Sequence, residues 1–223
     1  MFRRGIYAIL DCEALGLTTP RSIAYGRKKI YKYAEAACNA GVVAIQLRAK
    51  LLPIKHPTAF NLAFDFDELL TPQIAFIFND DVICGSRVLN GAHIGQTDVT
   101  PKEARAIMEA PRLLGLSTHH LEQVQRANVE PVDYIGFGPI RSTRWKRDPG
   151  PLTGLPLLSD AVKYSVKPVV AIGGLGAEDM PLVRQTGAHA AAVIGAWLTG
   201  PKGVKTPEEA QEALQQLVAA WGR

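Results

Sequence analysis

Residues 76–98, FIFNDDVICGSRVLNGAHIGQTD, read as strand, acidic turn, helix, glycine, strand and acidic turn. The apolar run at 74–78 has the length and content of a strand buried on both faces. It stops at Asn79, Asp80 and Asp81, residue types suited to ending a strand and capping a helix. Residues 82–89 supply a short helical crossover, Gly91 releases it, and 92–95 form the next strand before Gln96, Thr97 and Asp98. Both acidic turns therefore lie beyond the carboxyl ends of neighbouring parallel strands. Open α/β sheets and (β/α)₈ barrels bind ligands there, so Asp80 and Asp98 are expected to share one site.

Two converging carboxylates have two readings. They can be helix caps facing water, or they can hold a hard cation together with a phosphorylated ligand, as Mg²⁺ is held by one or two carboxylates plus phosphate oxygens. At ~4 Å and an effective dielectric of ~20, a carboxylate and a phosphate repel by ~4 kcal/mol, so a phosphate site built on two aspartates needs a cation.

Working outward, the rest of the chain repeats the same unit. Apolar strand candidates fall at 5–10, 42–47, 74–78, 92–95, 112–116, 133–137, 168–172 and 190–194. Helical segments are expected at 22–39, 57–70, 82–89, 101–109, from Ser117 and Thr118 onward, at 155–164, at 177–185 and at 207–221. Thr100-Pro101 with Glu103, and Thr206-Pro207 with Glu209, are capping boxes with a first-turn proline. Strands separated by helices predict a right-handed (β/α)₈ TIM barrel of one domain, 1–223, with a doubly wound sheet as the alternative. The length of 223 residues sits near the short end for such a barrel.

Composition narrows the function class. Hydrophobic content of 47% with 21% charged residues is that of an ordinary globular protein. No apolar run approaches the length of a membrane span, and residues 1–10 are too short and too polar for a signal peptide, so a cytoplasmic enzyme is expected. Cys12, Cys38 and Cys84 form neither a CxxC nor an even set and read as small core or loop residues. The net charge of +4 is mild. Arg27, Lys28, Lys29 and Lys32 read as a solvated helix face, and no nucleic-acid or membrane partner is expected.

Polar residues follow almost every strand: Gln46, Arg48 and Lys50; Asn79 and Asp80; Gln96 and Asp98; Ser117, His119 and His120; the basic loop 141–147; Gly173 and Gly174; and Gly195. The glycines after the seventh and eighth strands suit a phosphate approached by bare backbone amides, or simply a turn. The loop RSTRWKR suits an anion clamp better than a nucleic-acid patch. His93, within a strand, reads as a hydrogen-bonded core residue. His119 and His120 are general-base candidates, and neither has a metal-type spacing.

Taken together, YAILD at 7–11, VAIQLRAK, FIFNDD, GAHIGQTD, GLSTHH, DYIGFGPI and PVVAIGG resemble the thiamine-phosphate synthases in order and spacing. The resemblance implies a (β/α)₈ barrel that joins hydroxymethylpyrimidine diphosphate to hydroxyethylthiazole phosphate and releases diphosphate by a dissociative route. It implies that Gln46, Arg48, Lys50, Asn79 and Lys146 hold the pyrimidine diphosphate with Ser117 nearby, Lys146, Arg48 and Ser117 being closest to the chemistry. Asp80 and Asp98 would ligate Mg²⁺, and Thr143, Gly174, Ile194 and Gly195 would line the thiazole phosphate site, with Trp145 beside them. Ala49, Trp145 and Gly195 depart from the family's usual Glu, Thr and Ser. A thiazole tautomerase-like isomerase and a non-catalytic phosphate-binding barrel are the alternatives. Pro139 stands where tautomerases carry His, and the retained Asp80, Asp98, Arg48, Lys50 and Lys146 favour the synthase, because a tautomerase has no diphosphate to expel. Oligomeric state is left open.

Overall fold

The computed structural model describes residues 2–69, 71–87, 89–109, 111–145 and 150–222. Eight parallel strands close into a barrel in chain order: β1 (Gly5–Asp11), β2 (Ala44–Arg48), β3 (Ala75–Asn79), β4 (Gly91–Ile94), β5 (Leu113–Thr118), β6 (Tyr134–Phe137), β7 (Val169–Ile172) and β8 (Ala190–Val193), with β8 returning to β1. Around it lie α1 (Pro20–Tyr25), α2 (Arg27–Asn39), α3 (Pro57–Asp65), α4 (Val82–Arg87), α5 (Pro101–Ile107), α6 (Leu121–Ala127), α7 (Gly154–Tyr164) and α8 (Met180–Gln185). A short α9 (Gly195–Leu198) and a ribbon of β9 (Thr199–Gly200) with β10 (Gly203–Val204) precede the closing α10 (Pro207–Gly222). Among the described residues no helix is long and apolar enough to cross a membrane.

The period of two along each strand sorts side chains into two cores. Ile6, Ala8, Leu10, Ile45, Leu47, Phe76, Phe78, Ile135, Phe137, Ala191 and Val193 belong to the shell between barrel and helices. Tyr7, Ile9, Ala44, Ala75, Ile77, Tyr134, Val170, Ala190 and Ala192 fill the lumen. Phe2 plugs the amino-terminal end, with its ring 5.7 Å from Tyr7, 5.4 Å from Tyr134 and 5.5 Å from His189. That end is thus closed by apolar burial, worth roughly 1.5–3 kcal/mol for one such side chain. The same alternation carries Asp11, Gln46, Arg48, Asn79, His93 and Ser117 along the lumen-facing rows toward the carboxyl-end mouth.

Both expected capping boxes form: Thr100 with Glu103 and Thr206 with Glu209 exchange backbone and side-chain hydrogen bonds. Three expectations need correction. The helix expected at 22–39 is two helices that start at Pro20 and break at Gly26, whose amide donates to the Ser22 and Ile23 carbonyls and closes α1. The helix expected at 57–70 ends at Asp65 and passes into a 3₁₀ turn at Asp67–Leu69. Ser117 and Thr118 do not open a helix: they pair with Gly136 and Phe137 as the last residues of β5, and α6 starts at Leu121 behind His120.

Candidate active site

At the mouth, strand ends β2 to β5 bring together Gln46, Arg48, Lys50, Asn79, Asp80, Asp98 and Ser117. Asp81 rather than Asp80 does the capping: its Oδ1 accepts from the amides of Ile83 and Cys84, at 3.1 and 3.0 Å, and its Oδ2 from Lys55 N at 2.7 Å. This releases Asp80, which sits in the left-handed region at φ 66° with its amide bonded to the His93 carbonyl. A non-glycine residue there is uncommon and marks a constrained position. The Asp80 carboxylate meets Lys50 Nζ at 2.5 Å and faces Asp98. Burial first, and then Asp98, push its pKa up, while the Lys50 ammonium opposes both. Asp98 is held in place by the Gly95 amide, 2.6 Å from its Oδ2.

A pocket of about 290 Å³ opens here, lined in part by Ala49, Lys50, Asn79, Asp80 and Asp98. Asn79, one of its lining residues, has a buried Nδ2 with no hydrogen-bond partner among the described residues. A buried donor left unpaired costs roughly 1–3 kcal/mol, so this amide calls for an acceptor from a ligand. Two facing carboxylates, one of them disfavoured in its charged form, fit a hard cation that also binds phosphate oxygens. Among the described residues no group of three or more His, Cys, Asp or Glu side chains is arranged to hold a metal ion. A larger recess, about 450 Å³, lies on the flank against α8 and α10, away from the strand ends.

Two structural features of the mouth escaped sequence reasoning. Asp11, noted in sequence only as part of YAILD, is fully buried and pairs with Arg48 Nη1, its neighbour in the β1–β2 register. Its Oδ1 also accepts from Ala14 N at 2.8 Å. The second is a polar chain across the lumen. Gln46 Nε2 donates to Tyr7 Oη at 3.1 Å, Tyr7 Oη is 3.0 Å from Tyr134 Oη, Tyr134 Oη is 3.2 Å from His93 Nδ1, and His93 Nε2 is 2.9 Å from Ser117 Oγ. His93 is thus the hydrogen-bonded core residue expected of it, and burial holds its pKa down at about 4, which keeps the ring neutral at pH 7. The only trace of this chain in sequence is polar residues at lumen positions of apolar strands.

The opposite rim comes from the loops after β6, β7 and β8, and holds Thr143, Trp145, Gly174, Ile194 and Gly195. Gly174 has φ 63°, and a Cβ on it would collide with the Ser142 carbonyl oxygen, so glycine is required where these two loops touch. The basic loop is less free than its composition suggests. Arg141 pairs with buried Asp179 at 3.0 Å, and Arg144 stacks on Trp145 at 4.8 Å and donates to Thr199 Oγ1 at 3.3 Å. Lys146 and Arg147 lie outside the described residues. His119 Nδ1–H donates to the Gly138 carbonyl at 2.7 Å, and His120 pairs with Glu122 in solvent.

The thiamine monophosphate synthase family pattern matches residues 15–197. Among curated proteins, the thiamine-phosphate synthase of Koribacter versatilis is 32% identical over 213 residues, covering 95% of each chain. That of a Psychrobacter species is 33% identical over 213 residues, covering 94% of this chain and 95% of the other. Among solved structures, thiamine phosphate pyrophosphorylase from Pyrococcus furiosus matches with a TM-score of 0.70 and 26% identity, covering 96% of both chains. Because the family pattern covers most of the chain and two relatives exceed 30% identity over nearly all of it, this protein belongs to the thiamine monophosphate synthase family.

Proposed function

We propose that the chain condenses hydroxymethylpyrimidine diphosphate with hydroxyethylthiazole phosphate, giving thiamine phosphate and diphosphate, in the cytoplasm and with Mg²⁺. Family membership makes it a transferase of thiamine biosynthesis. The observation that carries the finer reading is the pocket at β2 to β4, lined by Lys50, Asp80, Asp98 and Asn79, whose buried amide nitrogen has no partner among the described residues. That set recognises a polyanion with its cation.

In this reading Arg48, Lys50 and Asn79 bind the diphosphate, with Lys146 expected beside them, while Gln46 and Ser117 orient the pyrimidine. Asp11 holds Arg48 from behind, and the Tyr7, Tyr134 and His93 chain holds Gln46 and Ser117 at its two ends. Mg²⁺ held by Asp80 and Asp98 would supply neutralisation of the departing diphosphate charge. The pyrimidinylmethyl carbon loses its C–O bond, the electron pair leaving on the diphosphate oxygen, and the thiazole nitrogen lone pair then forms the C–N bond. Thr143, Gly174, Ile194 and Gly195 present the thiazole phosphate from the far rim. Such a reaction asks little of a protein base, and the cations that stabilise the leaving group do most of the work.

Release of diphosphate should require both substrates and Mg²⁺, and should stop in chelator. Release that persists in chelator refutes the metal assignment, and no release with both substrates present refutes the activity.

A further inference from the structure

We infer that Trp145 and Gly195 are a matched pair, in which the indole Nε1–H replaces a side chain on residue 195 as donor to the thiazole phosphate. The inference rests on the functional reading above. In sequence the two positions look like separate departures from the family pattern. In space they are one: a Cβ on Gly195 would lie 2.5 Å from Trp145 Nε1 and 3.3 Å from Cε2. Any side chain at 195 and this indole exclude each other.

The backbone does not demand glycine there. Gly195 is absent from the residues with positive φ, in contrast to Gly173 and Gly174, so a side chain is conformationally allowed and only the indole forbids it. The ring is also held. Arg144 covers it at 4.8 Å and is tied to Thr199, and Trp145 N donates to Thr143 Oγ1 at 3.3 Å. Among the described residues its Nε1 has no hydrogen-bond partner. Trp197, in the core, by contrast donates to both the Ile9 and Val193 carbonyls. The N–H of this partly buried ring lies against Gly195, on the rim built by the loops after β6 and β8, as a donor that a bound ligand can use. Indole offers one N–H and no acceptor, so it suits a group that only accepts, as a phosphate oxygen does.

The test is a four-member cycle of parent, Trp145→Thr, Gly195→Ser and the double variant, with Trp145→Phe alongside to remove the N–H and keep the ring. Steady-state KM is measured separately for each substrate. Trp145→Phe and Gly195→Ser should each raise the KM for hydroxyethylthiazole phosphate roughly tenfold, with the KM for the pyrimidine diphosphate changed less than about twofold. The double variant, in which a serine hydroxyl replaces the displaced indole, should return to within about threefold of the parent, a strongly non-additive result. An unchanged KM in Gly195→Ser, or a double variant that multiplies the single effects, overturns the pairing. If Gly195→Ser fails to fold, recovery of folding and of KM in the double variant supports the pairing, and failure of both there overturns it. A parent that releases no diphosphate overturns the functional reading and this pair with it, whereas an active parent with additive variants overturns the pair alone.

Discussion

Removing the Asp11 carboxylate should separate its structural work from its effect on Arg48. Asp11 is fully buried, and its two oxygens serve Ala14 N at 2.8 Å and Arg48 Nη1. Breaking a buried ion pair costs about 3–5 kcal/mol because a charge is left without compensation. The Arg48 side chain keeps 16% of its exposure, so the lower end applies. Asp11→Ala also strands the Ala14 N–H, adding about 1–3 kcal/mol. The sum, roughly 4–6 kcal/mol, is a large part of a typical total of about 5–15 kcal/mol, and this variant should be barely folded. Asp11→Asn keeps an oxygen for Ala14 and loses the charge, so about 3 kcal/mol is expected, a drop of roughly 1–1.5 M in the urea midpoint. At low urea the folded Asn variant should show a KM for the pyrimidine diphosphate raised about tenfold, because the Arg48 guanidinium has lost the partner that aims it. The KM for the thiazole phosphate should stay near the parent value. A folded Asp11→Asn variant with parental or lower KM for the pyrimidine diphosphate refutes the positioning role. An unchanged urea midpoint refutes the energetic estimate.

Asp80→Asn and Asp98→Asn should each lose most turnover with little change in melting temperature, since they alter the mouth and not the apolar core; near-parental activity of either at millimolar Mg²⁺ contradicts the assignment. Arg48→Ala should chiefly raise the KM for the pyrimidine diphosphate and Lys146→Ala chiefly lower kcat, so two variants with normal kinetics would remove the anion-clamp reading. His93 titrates near 6.5 when unfolded and at about 4 when folded, so between these values the unfolded chain binds the extra proton. Stability from this residue is therefore complete above about pH 6.5 and lost as pH falls toward 4, by about 2 kcal/mol between pH 7 and 4.5. His93→Gln should flatten that part of the urea-midpoint profile, and an identical slope in the variant would show that the imidazole is not the group responsible.

Sequence alone determined what depends on near neighbours along the chain. The buried runs, the capping boxes at Thr100 and Thr206 and the acidic turns at Asp80 and Asp98 are set by alternation, helix periodicity and contacts three or four residues apart. These suffice for the order of units and hence for the barrel. Local signals also misled: Ser117 and Thr118 look like a helix start, and pairing with Gly136 and Phe137 keeps them in β5. Likewise Asp81 was indistinguishable from Asp80 in sequence, and hydrogen bonding decided which of them caps and which faces the site.

What only the tertiary structure decided is the company each polar side chain keeps. Asp11 meets Arg48 across 37 residues, Tyr7 meets Tyr134 across 127, and Trp145 rests on Gly195 because closure of the barrel brings the loops after β6 and β8 to one rim. Partners so distant leave no periodic trace, since any polar residue at a lumen position fits the pattern equally well. Their identity follows from strand register and barrel closure, which are properties of the whole sheet and not of any segment.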